Sequence, residues 1–475
     1  MKLLQKDTKN LPMLLLLAVG VIEFLFITLE SRFSGIGYYL AETYLIVPCL
    51  LLLGWVLREK QEPFARRRLL LAAGAIGWFV VVQCIHKLSG MENHPMATVF
   101  FVYLMAFPFA ALSDDWRSTG IRLIGGMFVA SSLVLTFYSA LLMLDLVPAG
   151  MKAVLYWDGA RSHALWHPNL GACYYMIGIG FSAAFLTEEK KFWAKGLLLA
   201  AIVVQFLAMA LTNCRTTLLL TGALLGGVAF FRIFRGNWKQ FLLGLMAAAV
   251  LLAGSFKLSG MLFQWNNDRL IAAFSAAQEA APEEATVPAE EIVTEETVQA
   301  EVPEETAPAE ITVMEDTGII LGDNEQNDLS KDMRSLNGRT LIWESALTAI
   351  WENKVLALWG TEYTGTVISV YNWFPVIHAH NSWMETLLRM GIPGLLFALV
   401  FTVLSVWSAA RLVLNPATEL WKKTVAMLTM CLLAAGFLEP YLFITNVYYH
   451  VMDFAFFFCT GYLDFWNNRQ KKQNQ

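Results

Sequence analysis

Two histidines and an asparagine stand immediately before a strongly apolar segment, in the stretch HAHNSWMETLLRMGIPGLL at residues 378–396. His380 and Asn381 are followed, after nine residues, by Gly391 and Gly394, which gives the pattern H-N-x9-G-x-x-G. An imidazole titrates near neutral pH and can act as a general acid or base. The glycines allow the backbone to bend and to approach other groups closely. The pattern therefore favours His380 as a proton-transfer residue at a membrane boundary.

Three other interpretations of this stretch remain open from the residues alone. His380 could be a solvated histidine at the membrane interface with no chemical role. His378 and His380 could bind a metal ion as a pair, although no third ligand occurs at a fixed spacing. Asn381 could cap the following helix, with Glu385 pointing back toward it. Each of these assigns the stretch to structure or to metal binding instead of proton transfer.

Three arginines stand where they could bind an anion at one membrane face. Arg215 lies in TNCRTT, Arg339 begins the segment RTLIWES, and Arg161 lies in GARSHALWHPNLG. Each of them taken singly could instead contact lipid headgroups. A guanidinium binds a diphosphate through bidentate, charge-assisted hydrogen bonds. The alternation of Lys and Arg described below puts all three on the same face as the histidines, so together they predict a binding site for a lipid diphosphate.

The elements that must position these residues are membrane helices. The chain has 475 residues, of which 57% are hydrophobic and 15% charged, so it is far more apolar than a soluble protein. Its six cysteines stand singly in apolar runs, so neither a disulfide framework nor a metal-binding pair is expected. About twelve apolar stretches are long enough to span a bilayer, and they lie near 11–30, 37–57, 68–86, 96–112, 121–148, 170–187, 195–212, 216–231, 240–257, 392–410, 424–438 and 442–465.

Lys and Arg predict how these helices are oriented. Most of the 34 lie in connections that alternate with connections carrying few of them, and the positive-inside rule makes the richer side cytoplasmic. Both termini of this multi-pass protein are therefore predicted to be cytoplasmic. Residues 258–391 form a long outer loop that ends in the catalytic stretch 378–391. Transmembrane helices 1–9 occupy 1–257, and helices 10–12 with a cytoplasmic tail occupy 392–475.

The outer loop has two dissimilar halves. Residues 279–316 hold thirteen carboxylates, four prolines and no Lys or Arg, which predicts a disordered acidic spacer. Residues 338–360 place Trp343, Leu347, Ile350 and Trp351 at helical spacing. This spacing predicts an amphipathic helix that lies along the outer membrane surface with its tryptophans in the interface.

These motifs together resemble the O-antigen ligase and polysaccharide polymerase superfamily of bacterial membrane glycosyltransferases. The resemblance rests on an R…PN element in an outer loop, the arginine of TNCRTT, the R-x-x-x-W of RTLIWES and the H-N-x9-G-x-x-G stretch before a late helix. The residues that carry it are Arg161, Pro168, Asn169, Arg215, Arg339, Trp343, His380 and Asn381. The motifs occur in the family's order and together span most of the chain. The acidic tract 279–316 departs from the family pattern.

The resemblance implies an all-α, GT-C-like polytopic fold in the bacterial plasma (inner) membrane. It implies transfer of a glycan from an undecaprenyl-diphosphate-linked donor to an acceptor hydroxyl at the outer leaflet, as in surface polysaccharide polymerisation or O-antigen-type ligation. The reaction would invert the anomeric carbon without a metal or other cofactor. The expected partners are this donor, a glycan, lipid or protein acceptor and membrane lipids, with no nucleic acid.

The resemblance also implies roles for individual residues. His380 would activate the acceptor hydroxyl. Arg215 and Arg339 would bind the donor diphosphate, and Arg161 would contribute to the same binding. The supporting residues would be His378, Asn381, Trp343, Asn169 and Glu385.

A multi-pass transporter or lipid-linked glycan flippase is the alternative function. Its support is the presence of ionisable residues inside predicted spans: His450 and Asp453 in the last, Glu23 and Glu42 in the first two. These groups could also simply join helices through hydrogen bonds. The sequence has no convincing inverted repeat and no matched pair of broken helices. A transporter also gives no reason for arginines and histidines in an outer loop.

Overall fold

The computed structural model describes residues 63–88, 114–143, 146, 168–234, 236–279, 336–360, 368–370, 374–376, 379–440, 442–443 and 450–473. The helices are α1 (Pro63–Leu88), α2 (Asp114–Met143), α3 (Pro168–Glu188), α4 (Phe192–Leu211), α5 (Arg215–Ile233), α6 (Trp238–Glu279), α7 (Leu336–Glu352), α8 (Lys354–Trp359), α9 (Ser382–Leu414), α10 (Leu420–Gly436) and α11 (His450–Gln473). Strands β1 (Ile368–Val370) and β2 (Phe374–Val376) pair antiparallel. Within these residues the predicted all-α architecture is confirmed, with one short strand pair added.

Six of the described helices are long and apolar enough to cross a membrane. They are Thr119–Leu141, Pro168–Glu188, Phe192–Leu211, Arg215–Ile233, Trp238–Asn266 and Ser382–Leu414. Each overlaps a span predicted from the sequence, and the chain is a multi-pass membrane protein. The predicted spans near 68–86, 424–438 and 442–465 correspond to helices α1, α10 and α11. Those near 11–30, 37–57 and 96–112 lie outside the described residues, so the total of twelve stays a prediction.

Two helices extend into the segment assigned to the outer loop. Helix α6 continues to Glu279, well beyond the predicted end of its span at residue 257. Helix α9 begins at Ser382, ten residues before the predicted start of its span at residue 392. Both ends of the predicted loop are therefore helical, and all but the first residue of the acidic tract 279–316 lies outside the described residues.

Helix α3 is the central helix of the described bundle. It is buried almost continuously from Pro168 to Ala184, and helices α2, α4, α5, α10 and α11 pack around it. Its glycines, alanines and serine let neighbouring helices approach closely, which is how helices associate in a membrane. Beside it, Ser132 Oγ of α2 donates a 2.6 Å hydrogen bond to Gln205 Oε1 of α4. A polar contact thus adds to the packing of this apolar core.

Helix α7 packs against the start of α9 instead of presenting one uniform apolar face to lipid. Ile342, Ala346 and Ile350 are buried in a small cluster with residues of α9. Leu347 and Trp351, which the helical spacing grouped with Ile350, are exposed. The apolar surface predicted for this segment is therefore divided between a protein contact and an open face.

A break in α9 depends on two glycines at a backbone crossing. Gly391 has φ 67° and ψ −171°, and a Cβ there would stand 2.2 Å from the Leu358 carbonyl oxygen. Gly360 has φ 76°, and a Cβ there would stand 2.3 Å from the carbonyl carbon of Arg389. Residues with side chains essentially do not adopt this backbone region. The end of α8 can therefore cross the break in α9 only because both contact points lack a Cβ.

Helix α1 covers the same break. Trp78 Nε1 donates a 2.8 Å hydrogen bond to the Met390 carbonyl, immediately before the break. The Trp78 ring also stacks on Trp359, with centroids 5.1 Å apart. These contacts hold α1 against the break in α9.

Gly391→Ala should lower the thermal stability of the purified protein. The alanine would adopt a conformation that costs about 1–3 kcal/mol, in addition to the clash with Leu358. The matched control is Gly196→Ala in α4, where an added Cβ meets no atom within 4 Å. The control should be neutral or more stable, because Ala exceeds Gly in helix propensity by about 1 kcal/mol. Equal melting temperatures for both variants would contradict the crossing.

Candidate active site

Asn381 fixes the start of α9 against the segment that follows α10. Its Oδ1 accepts hydrogen bonds from the backbone N–H groups of Trp383 and Met384, at 2.9 and 3.0 Å. This is the capping predicted from the sequence. Its Nδ2 donates to the Phe437 carbonyl at 2.9 Å. One side chain therefore caps a helix and brings residues just beyond Phe437 beside His380.

His380 is held in an unusual backbone conformation. Its φ is 49°, in the left-handed region that residues other than glycine seldom adopt. The preceding residue, Ala379, is fixed on both sides. Its N–H donates to Glu385 Oε2 at 2.7 Å, and its carbonyl accepts the Trp343 indole N–H at 2.8 Å. Because Ala379 and the helix cap are both fixed, the backbone at His380 has little freedom, and such strain is typical of functional residues.

These contacts give Trp343 and Glu385 positioning roles. Glu385 points back as the sequence suggested, but it bonds Ala379 instead of the cap residue Asn381. It also forms a buried ion pair with Arg389, at 2.9 Å. Trp343 was expected in the membrane interface, whereas its indole N–H points into the protein. The physical reason is that α7 covers the start of α9, so this face of the helix meets backbone rather than lipid.

The buried carboxylate of Glu439 contacts three residues that belong to separate sequence motifs. Its Oε1 accepts from Arg339 Nη2 at 2.9 Å and from Asn169 Nδ2 at 2.8 Å. Its Oε2 lies 3.4 Å from His380 Nδ1, which is a long hydrogen-bonding contact. Its backbone carbonyl accepts the Ser382 hydroxyl at 2.9 Å. The site is thus built from α3, α7, α9 and the residues after α10.

Local sequence explains where this carboxylate stands. Helix α10 ends at Gly436, and the Phe437 ring then stacks on Trp383 with centroids 4.0 Å apart. Glu439 precedes Pro440, and a residue before proline avoids helical geometry. The Leu438 carbonyl, left without a helical partner, accepts Arg339 Nη1 at 2.6 Å. The end of a membrane helix therefore supplies both a carbonyl and a carboxylate to the same guanidinium.

Exposure differs between the members of this cluster. The side chain of His380 is 30% exposed, whereas that of Glu439 is 6% exposed. Arg339 is intermediate, at 16%. The imidazole is therefore accessible from outside the cluster, whereas the carboxylate is accessible mainly to the residues around it.

Arg215 is exposed at the first position of α5, at the same end of the bundle as this cluster. Two residues later, Thr217 Oγ1 lies 3.5 Å from Cys173 Sγ. Cys173 is one helical turn beyond Asn169 in α3, a rise of about 6 Å. The first turns of α3 and α5 are therefore side by side, and Asn169 contacts Glu439 from the same turn.

The predicted site residues therefore fall into four groups. The structure brings Asn169, Arg339 and His380 onto one carboxylate, and Asn381, Trp343 and Glu385 position the backbone around His380. Arg215 stands at the same end of the bundle. Arg161 and His378 lie outside the described residues.

Sequence reasoning missed Glu439. It stands in the apolar segment CLLAAGFLEPYLF, in the short gap between the last two predicted spans. An acid at such a position is costly unless it is paired, and that cost was the available signal. The same cost singled out four other ionisable residues in predicted spans, which are His450, Asp453, Glu23 and Glu42. It applies equally to Glu439.

No three His, Cys, Asp or Glu side chains gather as a metal site within the described part of the chain. One member of the proposed metal pair, His378, lies outside that part. Metal independence therefore remains a prediction that a chelator can test.

The comparison with known families agrees with the family resemblance that these motifs indicated. Residues 197–399 match the model of a family described as O-antigen ligase. This match over residues 197–399 supports the resemblance to the O-antigen ligase superfamily. The matched domain runs from α4 into α9 and contains Arg215, Arg339 and His380, whereas Asn169 and Glu439 lie outside it. No curated protein matches the chain. The match suggests, at a general level, a membrane protein of lipid-linked glycan transfer.

Proposed function

We propose that the chain transfers a glycan from an undecaprenyl-diphosphate-linked donor to an acceptor hydroxyl, with His380 as the general base. The observation that carries this proposal is the contact between His380 Nδ1 and Glu439 Oε2, at 3.4 Å, on a carboxylate whose other oxygen is bound by Arg339. When Nδ1 is protonated and donates to Glu439, the lone pair is on Nε2. A carboxylate that orients an imidazole in this way also stabilises the imidazolium formed by proton transfer.

In the proposed reaction, Nε2 of His380 removes the proton of the acceptor hydroxyl. The oxygen attacks the anomeric carbon from the face opposite the leaving group, and the bond from that carbon to the lipid diphosphate breaks. The configuration at the carbon is thereby inverted. Preorganised positive charge lowers the barrier by stabilising the departing diphosphate. No metal ion is needed where guanidinium groups supply that charge.

Arg339 and Arg215 contribute to that charge differently. Arg339 uses one N–H on Leu438 and one on Glu439, which leaves three of its five N–H groups for a ligand. Its positive charge is balanced by Glu439 in the absence of donor. The net charge that attracts a diphosphate must therefore come chiefly from other groups. Arg215, which is exposed at the same end, and Arg161 are the proposed sources.

Arg215→Lys and Arg339→Lys should each reduce donor turnover. Lysine keeps the charge but cannot form the paired contacts of a guanidinium. Loss of one hydrogen bond to a charged group corresponds to a decrease of about ten- to a hundredfold. The assay is conversion of purified lipid-linked donor in detergent, with a chelator present.

The control for these variants is Arg232→Lys, at the opposite end of the same helix α5 as Arg215. It should convert donor at the parental rate. If both Arg215→Lys and Arg339→Lys also remain fully active, the diphosphate assignment is wrong and only a nonspecific need for positive charge is left. If the chelator abolishes turnover, metal independence is wrong.

The proposed reaction of the donor is the same for three classes of acceptor. In surface polysaccharide polymerisation the acceptor is another lipid-linked repeat, and in O-antigen-type ligation it is a lipid core or a wall polymer. A protein hydroxyl is a third acceptor class. Supplying each acceptor in turn to the same donor assay separates the three.

The transporter alternative gains no support from Asp453, the one of its four residues whose side chain the structure describes. Asp453 Oδ1 accepts the backbone N–H of Phe443 at 2.6 Å, and Phe443 has φ 66°. This carboxylate therefore has a structural task, which is to hold a strained turn before α11. Proton-coupled transport would require it to titrate, and loss of its charge would weaken this contact.

A further inference from the structure

A long apolar groove runs along the outside of the bundle between helices α3, α4, α5 and α6. Its volume is about 790 Å³, within the range of ordinary ligand sites. Its lining is aliphatic and aromatic except for two hydroxyls and two cations. The hydroxyls of Thr187 and Ser255 donate to carbonyls of their own helices. A ligand in the groove would therefore contact a long apolar surface and two cations, Lys195 and Arg232.

The two cations are at one end of the groove. Lys195 lies in the first turn of α4, and Arg232 lies in the last turn of α5. Neither forms an ion pair with a described residue. Arg215 begins α5, so Arg232 is about 26 Å away from it at the usual helical rise. The charged mouth of the groove is therefore at the membrane face opposite the candidate active site.

The length of the groove matches one leaflet of a bilayer. From Lys195 to Leu207, its lining along α4 covers about 18 Å at 1.5 Å per residue. The hydrocarbon of one leaflet is about 15 Å thick, half of a core of about 30 Å. Exposed side chains such as Leu199 and Val203 line it. A molecule with a head at the cations and chains along this surface would lie parallel to the neighbouring lipids.

We infer that this groove is a binding site for one anionic glycerophospholipid of the leaflet opposite the active site. The phosphate and any further negative charge of the headgroup lie at Lys195 and Arg232, and the acyl chains occupy the groove. Basic residues at a membrane surface attract anionic lipids in this way. A zwitterionic lipid offers the same chains but no net charge, so the groove should discriminate between the two. This site is separate from glycan transfer and does not depend on the proposed function.

The test is native mass spectrometry of the delipidated full-length protein titrated with phosphatidylglycerol or with phosphatidylcholine of identical chains. Phosphatidylglycerol should bind more tightly to the parental protein. The double variant Lys195→Gln/Arg232→Gln should bind it about thirtyfold more weakly. The matched control removes two exposed charges near the same membrane face but outside the groove, in Lys190→Gln/Lys239→Gln, and should bind as the parent does.

A second variant fills the groove without altering charge. A Cβ at Gly254 meets no atom within 4 Å, so Gly254→Leu should fold and occupy the space of the acyl chains. It should weaken phosphatidylglycerol binding although both cations remain. The inference would be overturned if both groove variants bound phosphatidylglycerol with parental affinity, or if the charge control lost as much affinity as the double variant. It would also be overturned if the two lipids bound equally, or if an isoprenoid chain were recovered instead of a diacyl lipid. Arg339→Lys should bind phosphatidylglycerol normally, which separates this site from catalysis.

Discussion

His380→Ala should lower turnover of a lipid-linked donor by about 10²–10⁴-fold, the usual contribution of a general base. The variant should fold, because the imidazole is 30% exposed and its backbone is fixed through Ala379 and Asn381. Donor binding should persist, since the arginines are unchanged. The measurement is single-turnover conversion of purified donor, with donor affinity determined separately so that binding and chemistry are distinguished.

His378→Ala is the companion variant and should lose less activity, because its position lies outside the H-N-x9-G-x-x-G pattern. The two variants are compared with and without a chelator. If both fail equally and the chelator abolishes parental activity, the pair binds a metal and the general-base role is wrong. If His380→Ala retains parental turnover, proton transfer belongs to another group.

Glu439→Gln should reduce turnover about as much as loss of the histidine itself, about 10²–10⁴-fold. The amide has the size of the carboxylate but cannot stabilise an imidazolium, and it leaves Arg339 without its charge partner. Breaking a buried ion pair costs about 3–5 kcal/mol, so the melting temperature should also fall. Glu439→Asp keeps the charge on a shorter side chain and should recover part of the activity.

A double variant separates catalytic support from loss of stability. If Glu439 acts through His380, then His380→Ala/Glu439→Gln should be hardly slower than either single variant, because residues that work as a unit are not additive. If the two effects multiply, Glu439 acts independently, through Arg339 or through the fold. The stability of each variant is measured alongside, so that an unfolded fraction is not counted as a slower reaction.

The membrane helices of this protein can be predicted from sequence because a run of about 20 apolar residues has few other structural uses. The pattern also shows that α7 is helical and apolar on one side. It does not show what covers that side, because lipid and protein both accept Ile350 or Trp343. The inward direction of the Trp343 indole depends on the Ala379 carbonyl, which only the tertiary structure brings near.

The site was partly predictable for a related reason. Arg339 and His380 stand in recognisable motifs, and Asn169 stands in another. Glu439 is a single acid in an apolar stretch, and its importance comes from three contacts with residues 59 to 270 positions away. Such convergence leaves no periodic or local pattern. The cost of burying a carboxylate is the only trace of it in the sequence.

The order in which Glu439 and its partners are synthesised has a consequence for the cell. The ribosome makes Asn169, Arg339 and His380 before Glu439, which follows Arg339 by 100 residues. At about 5–20 residues per second, that interval lasts roughly 5–20 seconds. For the last 59 residues of this interval the nascent chain has both the imidazole and the guanidinium but lacks the carboxylate that contacts them. If Glu439 acts as proposed, an unfinished or C-terminally truncated chain would be unable to consume carrier lipid, and activity would begin only after the segment that carries Glu439 has been inserted.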